Sequence, residues 1–253
     1  AFPLLRELSA NRMMALIQGL AARGDLAPGS DEYKLAAAYG AYMDTARVER
    51  LGDRPIRPHL AAIRRANSHA RLAAYMGSTQ GRVGGAFFGT GITIDQKNPD
   101  RYVVAVSQGG LGMPNRDYYL DPRFAEMKTK YQAYVESLLR MAGWSRPAEN
   151  AAAIVALETR IAEAHWTPIQ SRNRDATYNE FTRESLAAQA PGFDWQGYFA
   201  AMGQGDIDRL IVRQNTAMPL IAAIFAETPV AVLQAWQAFH TVDDAAPLLS
   251  QRF

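Results

Sequence analysis

Apolar residues recur at steps of three and four through most of this chain, a spacing that places them on one face of an α-helix. In the first such stretch they are Leu4, Leu5, Leu8, Met13, Leu16, Ile17 and Leu20. Prolines and glycines separate the stretches and mark where helices end. The pattern predicts helices over 4–20, 31–48, 60–76, 123–142, 147–166, 182–190, 195–202 and 228–240, with a further helix beginning in 242–253. We therefore expect a mainly α fold.

Residues 77–113 differ from this pattern because glycines crowd the segment. Two runs rich in β-branched residues, 91–95 and 102–107, flank a stretch of turn-type residues and predict a β-hairpin near residues 91–107. Residues 206–212 are a candidate for one more short strand. The glycines do not form a dinucleotide site, because no GxGxxG lies between a strand and a helix with an acidic residue about 20 positions later.

Charge and hydropathy argue against two classes of partner. The 27 basic and 25 acidic residues leave a net charge of only +2, so bulk attraction to nucleic acid is not expected. Seven arginines between 47 and 71 lack the interleaved aromatic residues of a single-strand binding surface, and we interpret them as a solvated or interdomain face. No run approaches ~18 consecutive apolar residues, so no membrane-spanning helix is expected.

Residues able to perform catalysis or hold a metal are few. The chain has no cysteine, which excludes thiolate zinc sites and cysteine nucleophiles, and it has no HExxH, GxSxG or GxxxxGK[ST] motif. The spacing of the four histidines leaves a metal site on two of them open: His59, His69, His165 and His240. His165 ends a predicted helix, where an imidazolium would be favoured. Pairs such as Glu158 with Glu163, or Asp243 with Asp244, are interpreted as caps and helix-surface charges.

Residues 108–120, with the sequence QGGLGMPNRDYYL, form the most unusual segment. Five of its side chains offer buried surface: Leu111, Met113, Tyr118, Tyr119 and Leu120. Arg116 and Asp117 can pair with each other and cap the adjacent backbone. Composition alone predicts a packed, structured loop and no function.

That segment closely resembles the GLGLP-x-RDYY signature in the N-terminal half of the M13 zinc metallopeptidases, the neprilysin and bacterial PepO-like family. The matching residues are Gly110, Leu111, Gly112, Met113, Pro114, Arg116, Asp117, Tyr118 and Tyr119. Further similarities follow in family order: Lys34 with Tyr39 and Tyr42–Asp44, Asp95–Asn98, Leu157–Glu158 with Ile161–Ala162, Arg174–Asp175 with Tyr178–Asn179, and Phe193–Trp195. They cover essentially the whole chain.

The resemblance implies that residues 1–253 are the helical lobe that caps the chamber of a two-lobed zinc endopeptidase acting on oligopeptides. In that family the zinc ligands come from HExxH and ExxxD helices of the C-terminal lobe. We therefore expect this chain to be an inactive fragment that binds no zinc, with the catalytic lobe and oligopeptides as partners. Exposed apolar surface near residues 2–8 and 233–253 would favour self-association. The lack of cysteine suits a bacterial member, and we expect a periplasmic or secreted protein, with a cytoplasmic one as the alternative.

One substrate-binding residue follows from the resemblance. Family members carry two arginines, eight residues apart, that help to bind the substrate backbone and its C-terminal carboxylate. The second of them matches Arg6, in the context AFPLLR. The plainer interpretation of Arg6 is a surface charge on the first helix. The alternative for the whole chain is a stand-alone helical module that binds peptides or proteins and has lost the catalytic half.

Overall fold

The computed structural model describes residues 2–253 and divides them into two compact units. The first contains the residues up to Gly52 together with Leu248–Arg252, and the second contains Asp53–Pro247 with Phe253. The residues described include twelve α-helices and one four-stranded sheet, which confirms the mainly α prediction.

The first unit contains three α-helices, α1 (Phe2–Ala21), α2 (Asp31–Met43) and α3 (Thr45–Leu51). Helix α2 begins where predicted, because the Ser30 hydroxyl accepts a hydrogen bond from the Tyr33 backbone at 3.1 Å. The predicted single helix over 31–48 is wrong. The helix is interrupted at Asp44. The Asp44 carboxylate caps the next helix, α3, by accepting a hydrogen bond from the Arg47 backbone amide at 3.0 Å.

The apolar stripe of α1 lies exposed. Phe2, Leu4 and Leu5 are 82, 69 and 62% exposed, and no residue of α1, α2 or α3 is buried. This confirms the expected apolar surface at residues 2–8. Contiguous apolar surface of this kind is typical of a face that another protein surface covers.

The second unit holds the remaining nine helices of the described chain. They are α4 (Arg57–Arg65), α5 (His69–Ser78), α6 (Asp117–Leu120), α7 (Ala125–Met141), α8 (Pro147–Ala164), α9 (Arg183–Gln189), α10 (Trp195–Ala201), α11 (Ala217–Glu227) and α12 (Val230–Ala245). The stretch predicted as one helix over 60–76 is two, because the Ser68 side chain accepts from the Arg71 backbone and starts α5 anew. Single turns of 3₁₀ helix lie at Arg54–Ile56, Pro122–Phe124, Gln170–Arg172 and Ala246–Leu248.

The C-terminal helix α12 is a core element, and the expected apolar surface at 233–253 is wrong for most of that range. Leu233, Trp236 and Phe239 have no exposed surface, because α12 packs against α4, α5, α7 and α8. Leu248 remains exposed. The helix also runs five residues beyond its predicted end at His240, and a 3₁₀ turn follows it in place of a new helix.

The predicted hairpin is present and is longer than expected. Strands β1 (Phe88–Asp95) and β2 (Asn98–Gln108) pair antiparallel across a connection of two residues, Gln96 and Lys97. Two short strands, β3 (Asn179–Phe181) and β4 (Leu210–Val212), complete the sheet in the order β1-β2-β4-β3. Strand β4 runs parallel to β2 and antiparallel to β3. Its three residues fall inside the candidate strand 206–212.

No single helix among the described residues is long and apolar enough to cross a membrane. Helices α11 and α12 meet that test of length and composition only as a pair, and they bend by 113° at their junction.

Candidate functional site

Residues 108–120 leave the end of β2 and lead into α6, and a single tyrosine fixes their backbone. The Tyr119 hydroxyl accepts hydrogen bonds from the Gly112 and Met113 backbone amides at 3.1 and 2.8 Å. The same hydroxyl donates to Glu158 Oε2 at 2.6 Å. Met113 and Tyr119 are buried against Ala162 of α8, with Leu111, Tyr118 and Leu120 packed beside them. The segment is therefore the packed loop that its composition predicts.

Glu158, on α8, is the centre of a buried polar cluster. Its Oε2 accepts from the hydroxyls of Tyr119 and Tyr131, and its Oε1 accepts from Trp236 Nε1 and His240 Nε2. The carboxyl group has no exposed surface, so the interpretation of Glu158 as a helix-surface charge is wrong. A buried carboxylate is tolerated when its oxygens are hydrogen-bonded, and here four donors satisfy it.

The cluster perturbs the two tyrosines. Burial, together with the negative charge of Glu158, raises the pKa of both Tyr119 and Tyr131 far above the ordinary value for tyrosine. Both phenols therefore stay protonated and act as donors to the carboxylate at any physiological pH. The cluster joins α6, α7, α8 and α12, and we interpret it as the support of the 108–120 loop.

A surface pocket of about 350 Å³ opens beside that loop. Its lining comes from the loop itself and from the end of α8 and the residues after it, including Arg116, His165 and Trp166. The Gln108 side chain closes one edge, because it donates to the Trp166 carbonyl and accepts from the Trp166 amide.

Arg116 and His165, which both line this pocket, do not have the interactions that the sequence predicted for them. Arg116 does not pair with Asp117; its Nε donates to the Ala162 carbonyl at 3.1 Å. The Asp117 backbone amide donates instead to Asn115 Oδ1, which starts the short helix α6. His165 Nε2 donates to the Gly109 carbonyl at 2.9 Å, and burial lowers the pKa of His165 to about 4. The expected helix-terminal imidazolium is therefore a neutral imidazole.

Two of the other histidines lie within hydrogen-bond distance of protein oxygens. His59 Nδ1 lies 3.3 Å from the Tyr75 hydroxyl, and His69 Nε2 lies 2.9 Å from the Thr228 carbonyl. Within residues 2–253, no group of three histidine, aspartate or glutamate side chains is placed to hold a metal ion. The residues present do not fit a catalytic zinc, which needs three protein ligands.

Arg6, the predicted substrate-binding residue, lies on the exposed surface of α1, in the first unit. It borders a shallow apolar hollow with Phe2, Leu5 and Met13. Its guanidinium makes no ion pair with any residue of the described chain. Its contact with substrate stays a prediction.

A charged cluster around the buried side chain of Asp95 anchors the sheet. Asp95, at the end of β1, accepts hydrogen bonds from Arg209 Nη1 at 2.6 Å, Arg101 Nε at 3.0 Å and the Tyr178 hydroxyl at 2.8 Å. The adjacent guanidinium of Arg209 is the main reason that the pKa of Asp95 lies well below its usual range. The cluster ties the hairpin to the residues that precede β3 and β4, which gives Asp95 a structural role.

Comparison with known protein families shows which family this chain belongs to. The model for the N-terminal region of peptidase family M13 matches residues 1–253. The chain belongs to peptidase family M13. The resemblance carried by the 110–119 signature is thereby confirmed.

Curated M13 relatives are much longer than this chain. It is 25% identical to endothelin-converting enzyme-like 1 of Rattus norvegicus over 243 residues, which cover 89% of this chain and 31% of that protein. It is 26% identical to endothelin-converting enzyme 1 of Cavia porcellus over 177 residues, which cover 66% of this chain and 23% of that protein. The chain therefore spans about a third or less of the length of these relatives.

Solved M13 structures share the fold. The zinc metalloprotease Zmp1 of Mycobacterium tuberculosis, in its open state, matches with a TM-score of 0.92 and 29% identity, over 99% of this chain and 40% of that chain. PepO of Lactobacillus rhamnosis matches with a TM-score of 0.77 over 97% of this chain and 40% of that chain. At 14% identity, this likeness concerns the fold alone. The chain thus corresponds to the N-terminal region of the M13 family.

Sequence reasoning missed the buried cluster around Glu158, although one indication was present. Glu158 lies four residues after Ile154 and three before Ile161, so it falls on the apolar stripe of α8. A carboxylate on such a stripe is buried and needs donors. The donors themselves lie on other helices, up to 82 residues away, and no local pattern identifies them.

Proposed function

We propose that residues 1–253 form the substrate-binding and gating domain of a zinc-dependent endopeptidase that cleaves oligopeptides. The observation that carries this proposal is the match to Zmp1 over 99% of this chain but only 40% of that metalloprotease. The proposed partner is the remaining, catalytic part of the same polypeptide. Because the described residues hold no suitable ligand set, we assign zinc binding to that part.

The exposed apolar stripe of α1 supports a partner surface for this domain. Phe2, Leu4 and Leu5 lie in water in the isolated chain, where apolar area costs roughly 25 cal/mol per Å². A second polypeptide segment that covers them would recover this free energy. We propose that the catalytic part of the enzyme provides it, and that the isolated domain self-associates through the same face.

Arg6 is the proposed substrate contact. A guanidinium offers a rigid fork of donors that grips a carboxylate at two points, which a lysine ammonium does not. A charge-assisted contact of this kind is worth about 1.5–3 kcal/mol, which corresponds to roughly a ten- to hundredfold change in binding. The contact exists in the ground state as well as in the transition state, so its loss raises KM more than it lowers kcat.

The test compares the complete enzyme with its Arg6→Ala variant on peptides that differ only in a free or amidated C-terminus. We expect KM for the free acid to rise about ten- to hundredfold and KM for the amide to change little. Arg12→Ala is the matched control, since Arg12 is an exposed arginine on another side of the same helix. Unchanged KM on both peptides would reduce Arg6 to a surface charge.

A second measurement tests the domain assignment. Purified residues 1–253 and the complete protein are assayed for bound zinc and for peptidase activity. We expect both only in the complete protein. Stoichiometric zinc and cleavage by residues 1–253 alone would overturn the proposal, and a complete protein that binds peptides without cleaving them would favour a binding module.

A further inference from the structure

The pocket beside the 108–120 loop has the composition of a small-ligand site. Its volume of about 350 Å³ lies at the lower end of the range of roughly 300–1,000 Å³ typical of such sites. Its lining combines apolar side chains, Leu111, Met113, Trp166 and Pro168, with polar ones, Gln108, Asn115, Arg116, His165 and Ser171. Such a mixed lining suits a ligand that carries both an apolar and a polar group.

Arg116 supplies the pocket with an uncompensated positive charge. Its Nε is held by the Ala162 carbonyl at 3.1 Å, which orients the side chain. Within residues 2–253 no carboxylate forms an ion pair with this guanidinium, although Asp117 is its neighbour in sequence. The Nη1 and Nη2 groups therefore remain as a two-pronged donor, which is the geometry that binds a carboxylate at both oxygens.

No second charge competes with Arg116 in the lining. His165 is neutral at physiological pH, because burial and the nearby Arg116 both lower its pKa, to about 4. Its Nε2 carries the hydrogen that is donated to the Gly109 carbonyl, so Nδ1 is an acceptor. The residues that line the pocket include no aspartate or glutamate.

The pocket walls are held in place before any ligand binds. Tyr119 fixes the backbone at Gly112 and Met113, and Gln108 fixes Trp166 through two hydrogen bonds. A preformed site loses little conformational entropy on binding, which favours even a small ligand.

We propose that this pocket binds a small carboxylate that carries one apolar group, with Arg116 holding the carboxylate and the apolar lining residues contacting the apolar group. The C-terminal residue of a short peptide and a free apolar carboxylic acid share this chemistry. The site does not depend on the proposed peptidase function, because all of its residues belong to the described chain.

The experiment uses the complete protein with zinc removed by a chelator, so that a catalytic metal supplies no second carboxylate site. N-acetyl-leucine, N-acetyl-leucinamide and the peptide Ala-Ala-Leu are titrated by isothermal calorimetry. We expect the two acids to bind and the amide to bind at least about tenfold more weakly. Equal affinity of both acids indicates a site for any apolar carboxylate, whereas tighter binding of Ala-Ala-Leu indicates a peptide C-terminus.

Two variants locate the binding in this pocket. Arg116→Gln removes the charge, and we expect about tenfold or greater weakening for the acids. Asn115→Asp keeps the oxygen that accepts from the Asp117 amide but puts a carboxylate beside Arg116, so it should weaken acid binding without disturbing the loop. Asn98→Asp, on the exposed hairpin, is the matched control with the same change of charge and should bind like the unmodified protein.

Three outcomes would overturn the proposal. These are no binding of N-acetyl-leucine up to tens of millimolar, equal binding of acid and amide, or unchanged acid binding in both pocket variants when their thermal unfolding matches that of the unmodified protein. Loss of peptidase activity in the zinc-loaded enzyme is a separate result and concerns the proposed function alone.

Discussion

The Tyr119 hydroxyl lies 2.6 Å from Glu158 Oε2, 39 residues later in the chain, and through this contact a buried carboxylate on α8 fixes the backbone of the 108–120 loop. Tyr119 transmits the constraint because its hydroxyl also accepts from the Gly112 and Met113 amides. The second tyrosine on Oε2, Tyr131, brings α7 into the same cluster. The signature residues 110–119 thus have a structural role that can be tested independently of catalysis.

Glu158→Gln should destabilise the protein by about 2–4 kcal/mol, because at least two buried donors lose their acceptor at about 1–2 kcal/mol each. The glutamine side-chain nitrogen is itself a donor, and it would face donors that the carboxylate oxygens accept from in the unmodified protein. Tyr131→Phe removes one of the four donors and should cost only about 1–2 kcal/mol. The measurement is chemical denaturation followed by circular dichroism. Glu163→Gln, on the exposed surface of the same helix, is the control and should stay within about 0.5 kcal/mol.

Gly112→Ala should destabilise the protein, because a Cβ at this position would collide with the Tyr131 side chain. Tyr131 is held by Glu158 and is not free to move away, so we expect a cost of about 1–3 kcal/mol. Gly91→Ala is the control, since a Cβ on that strand residue meets open space. Thermal unfolding of the two variants should separate them clearly, and equal melting temperatures would contradict the structural role of Gly112.

Stability should fall as the pH drops from about 6.5 to 4 because of His165. Its pKa is lower in the folded protein, about 4, than the 6.5 of an ordinary histidine. Between these values the unfolded chain binds a proton that the folded one does not, so acid favours unfolding. The difference amounts to up to about 3 kcal/mol below pH 4. His165→Gln retains a donor for the Gly109 carbonyl and should show a flatter profile in denaturant titrations between pH 7.5 and 4.5.

Asp95 should contribute a second acid dependence at lower pH. Its pKa is depressed in the folded state, chiefly by Arg209, so its stabilising effect is present above the unfolded value of about 3.9 and is lost as the pH falls below it. Asp95→Asn should lower stability at neutral pH and reduce the further loss below pH 4. Asp100→Asn, on the exposed part of the hairpin, serves as the control. An unchanged acid profile in Asp95→Asn would assign this dependence to other groups.

Local sequence patterns predicted most of the helices and the hairpin. The apolar spacing and the glycine after α7 act over a few residues, so they can be recognised without knowledge of the fold. The ordered motifs, above all residues 110–119, also predicted the family. The helix breaks at Asp44 and Ser68 were missed, because each of these side chains begins a new helix inside a stretch whose apolar spacing continues.

Only the tertiary structure decided which polar residues are buried and which apolar residues are not. Strands β3 and β4 are three residues long and owe their conformation to pairing with segments far away in sequence. Glu158 and His240, 82 residues apart, become one cluster because α8 and α12 pack together, and Arg116 loses its expected partner because the loop directs it to the Ala162 carbonyl. Sequence spacing determines the face of a helix on which a residue lies. The environment of that face, and hence the charge and chemistry of its residues, depends on contacts between distant segments.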